Sequence, residues 1–212
     1  RAPYGGGIHG ALYHSQSIEA IFCHVPGLKV VAPATPYDAK GLLKTSIEDP
    51  DPVLFLEHKK CYRLIKGEVP FEDYRIPIGK AEVKRPGRDL TVISYGLMLH
   101  YSLEAAEDLA GEDIDVEVLD LRTLRPLDTD AIIASVRHTS KVLIVHEDNL
   151  TGGLGGEVAA LISQYAFEYL DAPIMRLCGP EAPAMPYSKP LEEAFMPSPA
   201  RIADAMRKLA AY

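Results

Sequence analysis

The chain has 212 residues, of which 47% are hydrophobic and 25% charged, a composition typical of a folded protein with one large or two ordinary domains. Its formal net charge of −8 argues against nucleic-acid binding, because no lysine- and arginine-rich run is present to neutralise a phosphate backbone. The sequence contains no apolar stretch of about eighteen residues, so it predicts no membrane span, and no secretory or transit signal is visible.

The cysteines and the first residue bear on compartment and completeness. Cys23, Cys61 and Cys178 are odd in number and widely separated, which favours a reducing compartment and a packing role over disulfides or a zinc site. The sequence begins at Arg1 rather than at Met, and its first residues have the character of a loop that leads into a helix. We therefore expect the chain to be a fragment or a processed piece.

The first part of the chain alternates helices and strands at short spacing. The patterns predict a helix over 17–24, a strand over 29–33, a helix over 36–48 and a strand over 53–57. Thr35 supplies an N-cap for the second helix, and Pro36 occupies its first position. This order is typical of a parallel βαβ unit, which needs more sheet than 1–65 can supply and so favours a missing N-terminal portion.

A change of character marks a domain boundary. The stretch 64–88 is mixed in charge, rich in proline and glycine, and typical of a linker. We place one domain at 1–65, a linker at 66–77 and a second domain at 78–212. The second domain alternates strands with helices and is predicted to be an open α/β sheet with helices on both faces; the strands are expected over 90–95, 116–119, 142–145 and 174–178, and the helices over 102–110, 128–137 and 155–170 and from Ser198.

Two of these helices carry an apolar stripe. Along 155–170 the stripe is predicted to consist of Val158, Leu161, Ile162, Tyr165 and Tyr169. In the last helix the corresponding positions are Ile202, Met206 and Leu209. Both stripes indicate core faces rather than cofactor contacts.

The stretch 5–17 is the strongest candidate for a site. Glycines at 5–7 and at Gly10 allow close approach of the backbone to a ligand, and His14 follows next to Ser15, Gln16 and Ser17. An imidazole gives or takes a proton near neutral pH, so His14 is either a catalytic residue or a histidine that fills a polar niche. His9 is expected to be structural.

Other motifs favour structural roles. The glycine-rich stretch 151–156 matches neither common phosphate-binding pattern and is expected to be a tightly packed turn. The run 146–148, His-Glu-Asp, follows a strand end and could form a site, but a hydrogen-bonded structural pair is favoured over a metal site. Arg122 and Arg125 could bind a carboxylate or could form ion pairs within the chain.

A cluster of oxygens follows the helix over 36–48. Ser46, Asp49 and Asp51 lie at its C-terminus, where the helix dipole and free carbonyls favour a cation. Taken alone, the cluster is more typical of a turn.

Together these motifs resemble the β subunit of the thiamine diphosphate-dependent 2-oxoacid dehydrogenases, over nearly the whole chain. The similarity is carried by ordered segments, namely 10–17, 26–31, 38–43, 120–124 and 146–147 with Gly152 and Gly153. The resemblance implies a partial pyrimidine-type thiamine-binding α/β domain, then a transketolase C-terminal-type domain. It also implies that the carboxylate for the cofactor's aminopyrimidine belongs to the missing N-terminal portion.

The resemblance further implies a mechanism and partners. His14 matches the family's β-subunit catalytic histidine, which is expected to donate a proton or hydrogen bond as a lipoyl dithiolane opens, with Tyr13, Ser15 and Gln16 as orienting neighbours. Thiamine diphosphate would be shared with an α subunit that holds Mg²⁺ in an α₂β₂ heterotetramer; the substrates would be a 2-oxoacid and the lipoyl group of a dihydrolipoamide acyltransferase. Ser46, Asp49 and Asp51 match a turn that binds structural K⁺, partly through main-chain carbonyls.

Alternatives within and outside this family stay open. One is a carbon–carbon transferase similar to a split transketolase or a deoxyxylulose-phosphate synthase, although no cluster of basic residues for a sugar phosphate is visible. Another is a non-catalytic interaction subunit. The resemblance places the protein in a bacterial or archaeal cytoplasm or in a mitochondrial matrix, and it leaves the identity of the 2-oxoacid open.

Overall fold

A computed structural model describes residues 1–212, which form nine strands and nine α-helices. In chain order the strands β1 to β9 are Ala2–Tyr4, Lys29–Val31, Val53–His58, Glu82–Arg85, Leu90–Ser94, Val116–Asp120, Thr123–Arg125, Val142–Asn149 and Met175–Gly179. The helices α1 to α9 are Ala11–His14, Glu19–Cys23, Pro36–Glu48, Cys61–Leu64, Gly96–Ala110, Thr129–Thr139, Leu154–Ala166, Lys189–Phe195 and Pro199–Ala210. None of the helices has the length and apolar character that a membrane crossing requires.

The first sheet has the strand order β1-β3-β2-β7, and its first three strands run parallel. The predicted βαβ unit is confirmed, with α3 between β2 and β3. Helix α3 begins where the sequence predicts, because the Thr35 hydroxyl accepts a hydrogen bond from the Asp38 amide at 3.1 Å and Pro36 occupies the first turn.

Strand β7 joins this sheet from the second half of the chain. It runs antiparallel to β2, with Val31 opposite Thr123 and Val30 opposite Arg125. The sequence predicts no strand here, since β7 has only three residues. Arg122, with φ +54°, turns the chain between β6 and β7, so two successive strands belong to different sheets.

The second sheet has the order β4-β6-β5-β8-β9, with β4 antiparallel and the other strands parallel. Helices α5 and α9 cover one face, and α6 and α7 cover the other, so the predicted open α/β sheet is confirmed. Strand β4 lies within the second domain as placed at 78–212, although it falls in the stretch 64–88 whose composition is typical of a linker. Its sequence, Glu-Val-Lys-Arg, is that of a charged edge strand and lacks an apolar pattern.

Several helices differ from the predictions. Helix α5 begins at Gly96 rather than near 102, and α8 was not expected at all. In α7, Val158 and Ile162 are buried as predicted, but Tyr165 is exposed and the helix ends at Ala166, before Tyr169. The apolar stripe is therefore shorter than the pattern indicated. In α9 the three predicted core residues are all buried.

The core is divided unequally between the two sheets. Two large clusters, of 21 and 18 buried residues, occupy the two faces of the second sheet. The second of these also contains residues of the first sheet, among them Tyr4, Val30 and Leu56. The outer side of the first sheet has a cluster of only four, Val31, Leu42, Phe55 and Ile76.

Candidate active site

The glycine-rich stretch forms a loop that carries His14 at the end of the one-turn helix α1. Gly5 N–H donates to the Gln16 carbonyl at 3.1 Å, which closes the loop. The Ser15 hydroxyl is buried and accepts a hydrogen bond from Gly10 N–H at 2.9 Å. The His14 side chain is exposed, and its carbonyl accepts a hydrogen bond from Lys59 Nζ. The loop thus presents an imidazole at the surface on a fixed backbone.

One buried carboxylate of the second sheet holds the start of this loop. Glu147, at the end of β8, accepts hydrogen bonds from Gly6 N–H at 2.9 Å and from the Ser17 hydroxyl at 3.4 Å. Its other oxygen lies 2.7 Å from His58 Nε2. Gly5, with φ +90°, packs against the His58 ring so closely that a Cβ there would overlap the imidazole.

Glu147 and His58 form a buried ion pair. Burial alone raises the pKa of Glu147, but the His58 charge and the hydrogen bonds outweigh burial, and the net pKa is lowered. Burial also lowers the pKa of His58, whereas Glu147 and the neighbouring Cys61 raise it, and the result is about 10. At neutral pH the pair therefore consists of a carboxylate and an imidazolium.

A second carboxylate, Glu192 of α8, holds the middle of the loop. The residue is 2% exposed and accepts hydrogen bonds from Gly7 N–H at 2.9 Å and His9 N–H at 3.1 Å. His9 Nδ1 lies 2.7 Å from the same carboxylate. The structural role predicted for His9 agrees with this geometry. Neither Glu192 nor His58 was predicted from the sequence, because neither belongs to a recognisable motif.

Within the run 146–148, His146 and Glu147 contact different partners. Glu147 pairs with His58 rather than with its neighbour His146, whose Nε2 lies 3.1 Å from Gly155 N and 3.2 Å from the Cys178 sulfur. Burial lowers the pKa of His146 to about 4, so this imidazole is neutral and structural. Glycines of the following turn pack directly on it, as predicted for the stretch 151–156.

The two arginines also differ. Arg122 Nη1 lies 3.2 Å from Asp38 and 3.0 Å from Glu82, so it makes ion pairs within the chain. Arg125 is exposed and lines a cavity of about 490 Å³ near the N-terminus of α7.

Ser46, Asp49 and Asp51, which were predicted to bind a cation, contact other groups of the chain through their side chains. Lys29 Nζ lies 2.7 Å from Asp49 and 3.1 Å from Asp51, and the Ser46 hydroxyl donates to the Leu42 carbonyl at 2.7 Å. The lysine thus already neutralises both carboxylates. A cation at this turn would depend on main-chain carbonyls, and no cluster of three or more His, Cys, Asp or Glu side chains is arranged for a metal elsewhere.

Several exposed apolar side chains occur in the same stretch of chain as His14. Tyr13 is 81% exposed, and further exposed apolar residues lie in or next to α1 and α2, namely Leu12, Ile18, Ile21 and Val25. We call residues 12–25 the apolar segment. Exposed apolar residues that form one contiguous patch are typical of interaction surfaces.

Comparisons with known proteins place both sheets in described domains. Residues 1–65 match the transketolase pyrimidine binding domain, and residues 79–202 match the transketolase C-terminal domain. A solved structure, "Split gene transketolase, inactive beta4 tetramer", aligns with a TM-score of 0.79 and 26% identity, over 99% of this chain and 65% of that one.

Curated relatives include three dehydrogenase or oxidoreductase subunits. The chain is 60% identical, over its full length and 65% of the relative, to 2-oxoisovalerate dehydrogenase subunit beta of Bacillus subtilis (strain 168). It is 46% identical to pyruvate dehydrogenase E1 component subunit beta of the same organism, over 99% of this chain and 64% of the relative. It is 47% identical to acetoin:2,6-dichlorophenolindophenol oxidoreductase subunit beta of Cupriavidus necator, over 98% and 61% respectively. The chain thus spans somewhat less than two thirds of these relatives.

Proposed function

The chain belongs to the transketolase family, with a pyrimidine-binding domain followed by a C-terminal domain, and from this premise we propose that it is the β subunit of a 2-oxoacid dehydrogenase. The supporting observation is His14, an exposed imidazole on a loop that two buried carboxylates hold from the other domain. The full-length identity of 60% to a 2-oxoisovalerate dehydrogenase β subunit supports the same assignment.

The proposed reaction decarboxylates a 2-oxoacid and transfers the acyl group to a lipoyl group. Thiamine diphosphate, bound between this chain and an α subunit that holds Mg²⁺, would supply the carbanion chemistry. The family resemblance places Mg²⁺ on the α subunit, so we assign the diphosphate and Mg²⁺ to the partner. The exposed imidazole of His14 and the apolar segment beside it fit the edge of such a shared site.

His14 would act on the lipoyl dithiolane. An imidazole titrates near neutral pH, so it can hold a proton and donate it to a sulfur as the disulfide opens. The buried pair Glu147–His58 and the carboxylate of Glu192 fix the backbone on the N-terminal side of α1, at Gly6 and Gly7. The loop thereby keeps the imidazole in one place without a large movement on substrate binding.

The partners follow from the exposed surface. We propose that the apolar segment contacts the α subunit in an α₂β₂ heterotetramer and that a lipoyl-bearing acyltransferase docks on the same complex. The three cysteines are all unpaired, which supports a cytoplasmic or mitochondrial-matrix location.

Lipoyl acylation by the full-length subunit, assembled with its α subunit, tests this function. His14→Ala should lower acylation of a lipoyl domain by about 10² to 10⁴-fold, since it removes a proton donor. Decarboxylation measured with an artificial electron acceptor should fall much less, because that reaction opens no dithiolane. His138→Ala, at an exposed histidine of α6, is the control.

Two outcomes would overturn the assignment. Near wild-type acylation by His14→Ala would remove the proposed role of this residue. Absence of decarboxylation by the wild-type pair across pyruvate and branched-chain oxoacids, together with absence of acetoin cleavage, would remove the enzymatic function and favour a non-catalytic subunit. The same panel identifies the preferred substrate.

We also propose a structural K⁺ at the turn after α3. The carbonyls at the end of this helix would hold it, since Lys29 already neutralises Asp49 and Asp51. Replacing NaCl by KCl at equal ionic strength should raise the midpoint of thermal unfolding by a few degrees. Equal midpoints in the two salts would contradict K⁺ binding.

A further inference from the structure

The end of helix α1 at which His14 lies is held by a different group from the start of its loop. Glu147 and Glu192 accept hydrogen bonds from Gly6 and Gly7, and both contacts lie before α1. At the other end, the His14 carbonyl accepts a hydrogen bond from the ammonium of Lys59. This contact involves the candidate catalytic residue itself.

Lys59 is itself fixed by the first sheet. It directly follows β3, and its side chain is half-buried. Its backbone N–H donates to the Tyr4 carbonyl at 3.0 Å, which continues the pairing of β3 with β1 beyond the last residue of β3. The ammonium therefore extends toward His14 from a backbone position that the sheet determines.

The end of β3 thus holds the loop on both sides of α1 through two adjacent residues. His58 pairs with Glu147 at 2.7 Å, and Glu147 holds Gly6. Lys59 holds His14. The start of the loop and the residue that carries the imidazole are both connected to the same strand end.

The length of α1 makes this contact important. The helix has only four residues, Ala11–His14, and a helix of one turn is not stable by itself, because ordering the first turn costs more entropy than its few hydrogen bonds offset. The carbonyls of a last turn lack partners within the helix, and a cation is favourable beside them. Lys59 supplies both a donor and a positive charge at His14, and so opposes fraying of α1 at that residue.

Other half-buried lysines of this chain use their charge differently. Lys29 Nζ lies 2.7 Å from Asp49, and Lys84 Nζ lies 2.9 Å from Asp38, so each neutralises a carboxylate. The ammonium of Lys59 instead donates to a main-chain carbonyl of the loop that carries the imidazole. Its role is therefore local to this loop.

We propose that Lys59 is a positioning residue for His14 in the transfer of the acyl group to the lipoyl sulfur, an inference that rests on the proposed function. Lys59 acts through the backbone of His14 and does not touch the substrate. It keeps the imidazole in one orientation toward the opening dithiolane, and orientation of a catalytic group determines the rate of the step it assists. The contribution of Lys59 therefore belongs to the rate of acylation rather than to binding of the lipoyl domain.

Kinetics of lipoyl-domain acylation by the full-length subunit, assembled with its α subunit, test this role. Lys59→Met keeps the length of the side chain but removes the donor and the charge. Its kcat for acylation should fall by about threefold or more, while KM for the lipoyl domain stays within about twofold of the wild-type value. Lys59→Arg keeps both the donor and the charge and should recover most of the lost kcat. Lys66→Met, at an exposed lysine after α4, is the control and should match the wild-type enzyme in both constants.

Three kinetic results would overturn the positioning role. A raised KM with wild-type kcat in Lys59→Met would show that the ammonium recruits the lipoyl domain instead. Wild-type values of both constants would show that the contact with His14 has no effect on the reaction. A Lys59→Arg variant as slow as Lys59→Met would show that the hydrogen bond and the charge are not the cause.

Hydrogen exchange provides a second readout that does not depend on catalysis. The amides of His14 and Ser15 donate to the carbonyls of Gly10 and Ala11 at 3.1 Å and 3.0 Å. In Lys59→Met these two amides should exchange at least about fivefold faster, while those of β5 and β8 keep their protection. Equal exchange in the variant and the wild-type protein would contradict the inference. Faster exchange in a protein whose wild-type pair acylates no lipoyl domain would instead reject the proposed function and leave the contact established.

Discussion

The two sheets of this protein differ in the size of their cores and in how far they depend on residues from the other half of the chain. The second sheet is covered by helices on both faces and contains most of the buried core. The first sheet has an outer cluster of only four buried residues. One of its strands, β7, comes from the second half of the chain. Buried carboxylates from that half also hold its glycine-rich loop. The candidate catalytic residue, His14, therefore lies in the region of the first sheet, but carboxylates from the region of the second sheet hold its loop.

Removing Glu147 should cause the largest loss of stability, because this residue connects the two regions. Glu147→Ala leaves the His58 imidazolium buried without a counter-charge and frees the Gly6 amide. The free energy of unfolding should fall by about 3–5 kcal/mol. Urea unfolding of the full-length subunit measures this loss.

Glu193→Ala is the matched control, since Glu193 is exposed and its only ion pair is with Lys189 at 3.8 Å. It should change stability by less than about 0.5 kcal/mol. A loss of the same size in both variants would show that the ion pair between the two regions contributes little.

Removing Glu192 should have a smaller and more local effect. Glu192→Ala leaves the amides of Gly7 and His9 without acceptors, and stability should fall by about 1–3 kcal/mol. Hydrogen exchange at 5–10 should become faster, while β5 and β8 keep their protection. Glu192→Gln retains an amide oxygen and should restore part of the protection; no recovery would argue against the hydrogen bonds as the cause.

A further predicted effect is a decline in stability between pH 6.5 and 8. Burial raises the pKa of Glu19 to about 8, so the folded state retains a proton that the unfolded state has lost, and this stabilisation disappears as the pH rises. The raised pKa of His58 acts in the same direction, with stabilisation present below pH 6.5 and lost toward pH 10. The lowered pKa of His146 opposes this trend only below pH 6.5.

Thermal unfolding across this interval measures the slope, which is at most about 1.4 kcal/mol per pH unit for each proton. Glu19→Gln should flatten the curve, because its amide does not titrate and can keep the contact with the Tyr95 hydroxyl. An identical slope in the variant would exclude Glu19 as a source of the pH dependence.

Much of the fold was determined by patterns within short stretches of sequence. The helix over 36–48 was predicted with its observed bounds, because a capping threonine, a proline and an apolar face all lie within one segment. The buried strands β5, β6 and β8 were also found, since each is a short apolar run between turns. The same local evidence identified 5–17 as the candidate site and His9 as structural.

Only the tertiary structure decided how that site is held. Strand β7 is short, and its partner β2 lies about ninety residues away in the sequence. No local pattern therefore predicts their pairing. Glu147 and Glu192 reach the loop across separations of 141 and 185 residues, and the pairing of Glu147 with His58 rather than with His146 depends on which groups burial brings together. The energy of a buried charge depends on its three-dimensional surroundings, and these surroundings come from segments far apart in the chain.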